Sequence, residues 1–163
     1  MTMLPGGSHE DRASSYAKRW GYAIARFGFG VDGTVFRSDF GSAIKVFERE
    51  RSYRTERNVY LRLQEDQVIG VCGHAVPELI RFDDEAWIIE MTIVQPPYVL
   101  DFAKATIDVP PDFQDEVMEE RQAYWADLFG DRWPRVVEIM RVFERRHGIY
   151  LLDPKPGNIE FSD

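Results

Sequence analysis

The chain has a single cysteine, Cys72, among its 163 residues. That excludes an internal disulfide and a zinc site built from several thiolates. Within "VIGVCGHAV" Cys72 stands among apolar residues and reads as a small buried side chain. Histidine is nearly as scarce: His9, His74 and His147 lie far apart, without metal-ligand spacing. No apolar run approaches the roughly 18 residues expected of a membrane span. The opening "MTMLPGGSHEDR" lacks the basic start and apolar stretch of a secretion leader. It reads as a flexible lead-in, and the expectation is a soluble cytoplasmic protein. Positive charge is in deficit, with 20 Lys and Arg against 28 Asp and Glu, a net of −8. A field of that sign repels nucleic acid and anionic membranes, so neither is an expected partner. An anionic ligand would have to be held by specific local donors.

Hydrophobic residues make up 44% of the chain and aromatics 13%, enough for a packed core and against disorder. The length suits one domain, folded as two small lobes. Trp20, Trp87, Trp125 and Trp133 read as core and lobe-contact residues rather than a stacking platform for nucleic acid.

The order of patterns sets the fold class. Ser14 to Trp20 reads as a short helix or irregular arm. "YAIARFGFGVDGTVFRS" places strand formers on both sides of a glycine cluster, and "SAIKVF" then alternates. Ala43, Lys45 and Phe47 share one face of that run, Ile44 and Val46 the other. Three strand-like runs with glycine turns between them make an antiparallel meander. From about Glu48 to Gln64 the period becomes helical, with Tyr53, Glu56, Tyr60 and Leu63 on one face. "HAVPELIRF" and "AWIIEMTIV" follow as two strands joined by an acidic turn, and Pro96-Pro97 marks a lobe boundary. Beyond it two helices are expected. One carries Val117, Arg121, Tyr124, Trp125 and Leu128 as its stripe and ends at Gly130. The other carries Val136, Ile139, Met140 and Phe143, with Pro134 in its first turn, basic residues in its last, and Gly148 as its stop. A loop and a short strand end the chain. The class is α+β.

Two charges sit where they do not belong. Lys45 lies on the inner face of "AIK", and Glu56 stands in the middle of an apolar helical stripe eleven positions later. Opposite signs in two such places suggest a pair, which would fix the lysine while its other donors reach a phosphate. The plain alternative is that each snorkels to solvent on its own. Upstream, "GFGVDGTVF" holds Gly28, Gly30 and Gly33. Because a strand follows it rather than a helix, it does not fit the dinucleotide-binding motif. A glycine hairpin lets backbone amides approach phosphates, though it is also an ordinary turn. Near the end, "DPKPGN" puts Asp153, Lys155 and Asn158 in one short loop, built from residues that favour turns in any case.

Taken in order, these parts resemble the protein kinase superfamily, over about Tyr22 to Phe161. "GFGVDGTV" is similar to the glycine-rich loop, "AIK" to the lysine strand, Glu56 to the glutamate of the following helix, "WIIEM" to the hinge strand and "GIYLLDPKPGNI" to the catalytic loop. The resemblance implies a kinase-like fold in three parts: an arm at residues 1–20, an N-terminal lobe at 21–95 and a reduced, mostly helical C-terminal lobe at 96–163. It also implies ATP and magnesium as cofactors. Gly28, Gly30 and Gly33 would cover the phosphates, and Lys45, held by Glu56, would contact them. Val35, Ala43 and Ile89 would form the adenine slot, with Ile89 as gatekeeper and Glu90, Met91 and Thr92 along the adenine edge. Asp153 would act as base and Lys155 would offset charge. Asn158 would ligate the metal, with Glu160 or Asp163 as the second ligand.

Three departures temper the activity expected. Leu151 and Leu152 stand where the family has a histidine and an arginine. No Asp-Phe-Gly metal motif follows Asn158, and neither an activation segment nor the later helices appear before Asp163. The first expectation is therefore a degenerate ATP-binding module, weakly active or inactive, that serves as a switch or interaction partner. The second is a minimal phosphotransferase that uses Asp153. The third is a ligand-free remnant that binds a protein partner, or a second copy of itself, through the reduced lower lobe.

Overall fold

The computed structural model describes residues 4–30 and 32–163. Val31, in the glycine loop, and the first three residues of the lead-in lie outside the described residues. Among the described residues no helix is long and apolar enough to cross a membrane.

Three strands form the meander: β1 (Ile24–Gly30), β2 (Gly33–Ser38) and β3 (Ser42–Phe47). Helix α2 (Glu50–Glu65) comes next, followed by β6 (Leu79–Asp83) and β7 (Ile88–Thr92). The five strands make one antiparallel sheet in the order β1-β2-β3-β7-β6. Ala43 pairs with Met91 and Lys45 with Ile89, so the lysine strand lies at the centre of the sheet. The expected alternation of β3 holds. Ala43 and Phe47 join the larger core, while Ile44 and Val46 pack on the opposite face with Phe36 and Ile88.

That opposite face is covered by an element the sequence reading only half anticipated. Residues His9–Trp20 form a full helix, α1, rather than a lead-in and an arm. Ser8 caps it reciprocally with Asp11, a capping box that satisfies two otherwise orphaned backbone donors. Ala13 and Tyr16 fill the space above Ile44, Val46 and Ile88. Arg12 donates to the carbonyls of Phe47 and Ala86, 2.9 Å each. Tyr16 donates its hydroxyl to Glu90 Oε2 at 2.7 Å.

"HAVPELIRF" does not run as one strand. Pro77 lies between two pieces of it: His74–Ala75 (β5) pairs with Gly70–Val71 (β4), and Ala75 runs parallel beside Tyr98. Proline cannot donate to a ladder, which is why the run breaks there. Past a cis Pro96-Pro97 bond come two short strands with no clear alternation in the sequence, β8 (Tyr98–Val99) and β9 (Ala105–Ile107). Helices α3 (Asp115–Phe129) and α4 (Trp133–His147) follow, joined by one 3₁₀ turn. Then come β10 (Ile149–Leu151), antiparallel to β9, and β11 (Ile159–Glu160), antiparallel to β8.

On α4, Val136, Ile139 and Phe143 are fully buried, and the helix stops at Gly148 in the left-handed region. The stripe expected on α3 is different: Val117, Tyr124 and Leu128 are exposed, and only Trp125 and Phe129 are buried. This helix leans on Trp133 of α4 through Trp125 and Phe129. One apolar core runs from Phe47, Val59 and Leu63 through Phe102 to Phe143, Ile149 and Ile159, drawing on residues from both sides of Pro96-Pro97.

Candidate functional site

The expected ion pair is present. Lys45 Nζ lies 2.7 Å from Glu56 Oε2. Strand β3 carries the lysine from above and α2 presents the glutamate from the side, and each side chain is almost wholly buried. Neither charge would be tolerated there alone. Burial pushes the Glu56 carboxyl up to about 7, against the opposing pull of the Lys45 ammonium. Burial also works against the charge on Lys45, but Glu56 and then Asp101 outweigh it, so the ammonium is held above its ordinary range. The Lys45 ammonium also stands over the Phe47 ring, 4.8 Å from its centroid.

Around this pair opens a cleft of about 640 Å³. Gly28, Gly33 and Val35 of the hairpin form its roof, with Ala43 and Lys45 behind them and Lys155 and Asn158 below. Gly33 comes very close to β3: a Cβ placed on it would lie 2.0 Å from the Val46 carbonyl oxygen. Glycine at this point is therefore a packing requirement of the hairpin, whatever the loop covers. Gly30 pairs with Gly33 at the hairpin end.

The residues of the hinge strand fall differently from the expectation. Met91, not Ile89, lines the cleft, followed by Thr92, Ile93 and Val94. Ile89 is fully buried and does not reach the opening. Glu90 is turned to the far face of the sheet, as strand alternation requires. There it accepts from Tyr16 and from Ser42 Oγ, each at 2.7 Å, and Arg81 Nε lies 3.3 Å away as an ion-pair partner. Of the four residues expected along this strand, Met91 and Thr92 line the cleft, and Ile89 and Glu90 do not. The hydroxyl of Tyr60 on α2 donates to the Met91 sulfur at 3.1 Å and sets that side chain in place.

At the floor, the "DPKPGN" loop is folded as a turn, with the Asn158 amide donating to the Lys155 carbonyl at 3.0 Å. Lys155 and Asn158 face the cleft. Asp153 stands to one side, its Oδ2 receiving Lys104 Nζ at 3.0 Å. That hydrogen bond holds the Lys104 ammonium above its ordinary range. Arg121 of α3 donates to the Leu152 carbonyl, tying the loop to the helices. Glu160 and Asp163 do not line the cleft.

Several lining residues were not singled out in the sequence, among them the charged Asp32, Lys104 and Asp101. Asp101 Oδ1 lies 3.5 Å from Lys45 Nζ and its Oδ2 3.4 Å from Asn158 Nδ2. The sole sequence signal is the tripeptide Asp101-Phe102-Ala103 after a short strand, in which Phe102 and Ala103 are buried. For a magnesium ion, Asp101 and Asn158 offer oxygen donors of the hard kind it prefers. Among the described residues no three His, Cys, Asp or Glu side chains gather into a cage.

No protein-family model matches the chain, and no curated protein does. Among solved structures it is similar to a streptomycin–ATP ternary complex of APH(2'')-IIa, with a TM-score of 0.42 and 15% identity over 57% of this chain and 30% of that one. It is similar to ADP-bound aminoglycoside phosphotransferase APH(2'')-Ib, with a TM-score of 0.42 and 15% identity over 55% and 29% of the two chains. A gentamicin complex of APH(2'')-IIa matches with a TM-score of 0.43 and 10% identity over 78% and 52%. The chain thus spans about half the length of these structures or less. The five-stranded antiparallel sheet, the helix inserted after its third strand and the Lys45–Glu56 pair make an α+β fold consistent with the kinase-like arrangement expected.

Proposed function

We propose that the chain binds ATP in the cleft beneath the β1–β2 hairpin. The observation that supports this best is the Lys45–Glu56 pair, buried at the back of an open cavity. A structural ion pair gains little from facing empty space, whereas a lysine held by one partner keeps two donors for phosphate oxygens. Val35, Ala43 and Met91 supply apolar walls on which a base can lie, and the backbone of Thr92 to Val94 is the polar edge beside them. Such a lining, mostly apolar with a few convergent polar groups, is what small-molecule sites share. Lys104 and Lys155 extend the positive wall toward the far end, where the outer phosphates would lie. Calorimetric titration of ATP tests the reading. The expected result is saturable binding that weakens at least tenfold in Lys45→Met, about 1.4 kcal/mol. Absence of binding, with and without magnesium, contradicts it.

A second reading, phosphotransfer, draws support from Asp153 and Lys155 sharing one loop at the phosphate end. In that step a substrate hydroxyl oxygen would bond to the γ-phosphorus while the bond to the bridging oxygen breaks. The hydroxyl proton would pass to Asp153, and ADP would leave. Weak activity is the expected grade, because Asp153 already accepts from Lys104 and sits beside the cleft rather than in it. Labelled-phosphate transfer that vanishes in Asp153→Ala supports this reading, and undiminished transfer in that variant contradicts it.

A further inference from the structure

Lys104 belongs to two neighbourhoods at once. It lines the cleft together with Lys155 and Asn158. It also borders the small side hollow formed by Leu151, Asp153 and Pro154. Asp153 lines that hollow and not the cleft, and there it accepts from the Lys104 ammonium at 3.0 Å. We infer that Lys104 is a nucleotide-operated latch on Asp153: the ammonium holds the carboxylate aside, and a polyphosphate in the cleft draws it off. The inference rests on the nucleotide reading above and adds a coupling between the phosphate end of the cleft and the candidate base.

Three observations carry it. The first is how Lys104 is mounted. Ala103 and Ala105 on either side of it are buried, while its own side chain is 54% exposed. Ala105 pairs with Leu151 in the β9–β10 ladder, which fixes the lysine backbone beside the strand that leads into Asp153. A flexible four-carbon stem on a fixed backbone is a pivot, so the ammonium can change partner without the fold moving.

The second observation is that the contact is weak. The Asp153 side chain is 33% exposed, so both partners are open to water. Screening and the ordering of a long side chain offset most of the attraction in such a pair. Among the described residues neither group makes another side-chain hydrogen bond. Lys45 is the contrast, almost wholly buried and 2.7 Å from Glu56. Of these two lysines, Lys104 is the one that can be redirected at little cost.

The third observation is the field on the cleft side. The hydrogen bond to Asp153 does most to hold the Lys104 ammonium above its ordinary range, and the charges of Asp32 and Asp101 add to it. Both of these carboxylates line the cleft. The ammonium therefore stays charged whichever way it turns. A triphosphate offers it more negative charge and more acceptor oxygens than one carboxylate does. With Lys104 in place, Asp153 has an oxygen committed to a lysine hydrogen bond. Released, the carboxylate has both oxygens for a substrate hydroxyl, and it is released only when the phosphate donor is bound.

The test uses the full chain with lysine carbon-labelled at Cε, which gives one nuclear magnetic resonance signal each for Lys18, Lys45, Lys104 and Lys155. Lys104→Arg identifies the Lys104 signal by its loss. Asp153→Asn, with Asp153→Ala as a second variant, removes the latch partner, and melting curves check that the fold is kept. Calorimetry establishes saturation with ATP in each protein. Without nucleotide, the Lys104 signal should differ between the wild type and both Asp153 variants. At saturating ATP that difference should fall by more than half, because the ammonium then lies on phosphate in every protein. The Lys18 signal, from the last turn of α1, should show neither change. The latch is overturned if the Asp153 variants leave the Lys104 signal unmoved, or if Lys18 follows Lys104. It is also overturned if ATP binds and the difference falls by half or less. Each of these results leaves the nucleotide reading standing. No ATP binding, with and without magnesium, overturns both.

Discussion

Lys45 and Glu56 show how far single residues can be read. Each was misplaced on an otherwise apolar face, and the structure joins them at 2.7 Å. The pair also makes a pH prediction. Glu56 has an ordinary value of 4.5 and is pushed by burial up to about 7. Between those values the folded chain keeps a proton that the unfolded chain releases. Stability from this group is thus fully present below about pH 4.5, falls as pH rises, and levels off above about 7. Lys45, held up by Glu56 and Asp101, stays charged throughout that window. Denaturant melts from pH 4 to 8 should show this fall in the wild type and lack it in Glu56→Gln; parallel profiles contradict the assignment. For Lys45→Met, the stability loss should be smaller than the roughly 3–5 kcal/mol of a broken buried pair, because Glu56 can take up a proton. Urea unfolding of that variant measures it. Asp101 was not legible in this way. An aspartate after a short strand carries no periodic signal, and its partners lie 56 and 57 residues distant in sequence. The hinge strand was misread for a local reason: both Ile89 and Met91 point to the lysine side, and only the depth of the cleft decides which one lines it.

At the scale of elements, strong periodicity was read well and short or interrupted patterns were not. The meander, α2 and α4 alternate or repeat over five residues or more. Strands β5 and β8 have two residues each, too few for a period to show. Helix α1 was obscured because its buried face includes Arg12 and Tyr16, whose polar ends meet distant partners in β3, in the turn before β7 and in β7. Tyr16→Phe should therefore cost about 1.5–3 kcal/mol, the range for a hydrogen bond to a charged group, since Glu90 is left with one donor fewer. Chemical denaturation would check it, and a change under about 0.5 kcal/mol would place α1 among dispensable surface elements. The hairpin offers a sharper case. Gly33→Ala drives a Cβ into the Val46 carbonyl, so β2 must shift away from β3 at a cost of about 1–3 kcal/mol. ATP affinity should fall with it. The stripe assigned to α3 failed because spacing identifies a face without saying whether anything covers it.

For the whole molecule, the net charge of −8 is compatible with the proposed binding of an anion because Lys45, Lys104 and Lys155 line the cavity locally. The cleft is walled by the sheet above and by the loop of Lys155 and Asn158 below, and one apolar core joins the two. A ligand that touches both walls should stabilise the entire fold, by about 2.7 kcal/mol at a hundredfold excess over its dissociation constant. A single melting transition that rises with ATP would show this, and a transition insensitive to ATP would count against it. The most direct test of the account is calorimetry of ATP with the wild type and Lys45→Met, in magnesium and in EDTA. The account predicts one site per chain in the wild type, tighter with magnesium, and at least tenfold weaker binding in the variant, about 1.4 kcal/mol. Equal ATP affinity in the two proteins, or no binding by the wild type in either condition, would contradict it.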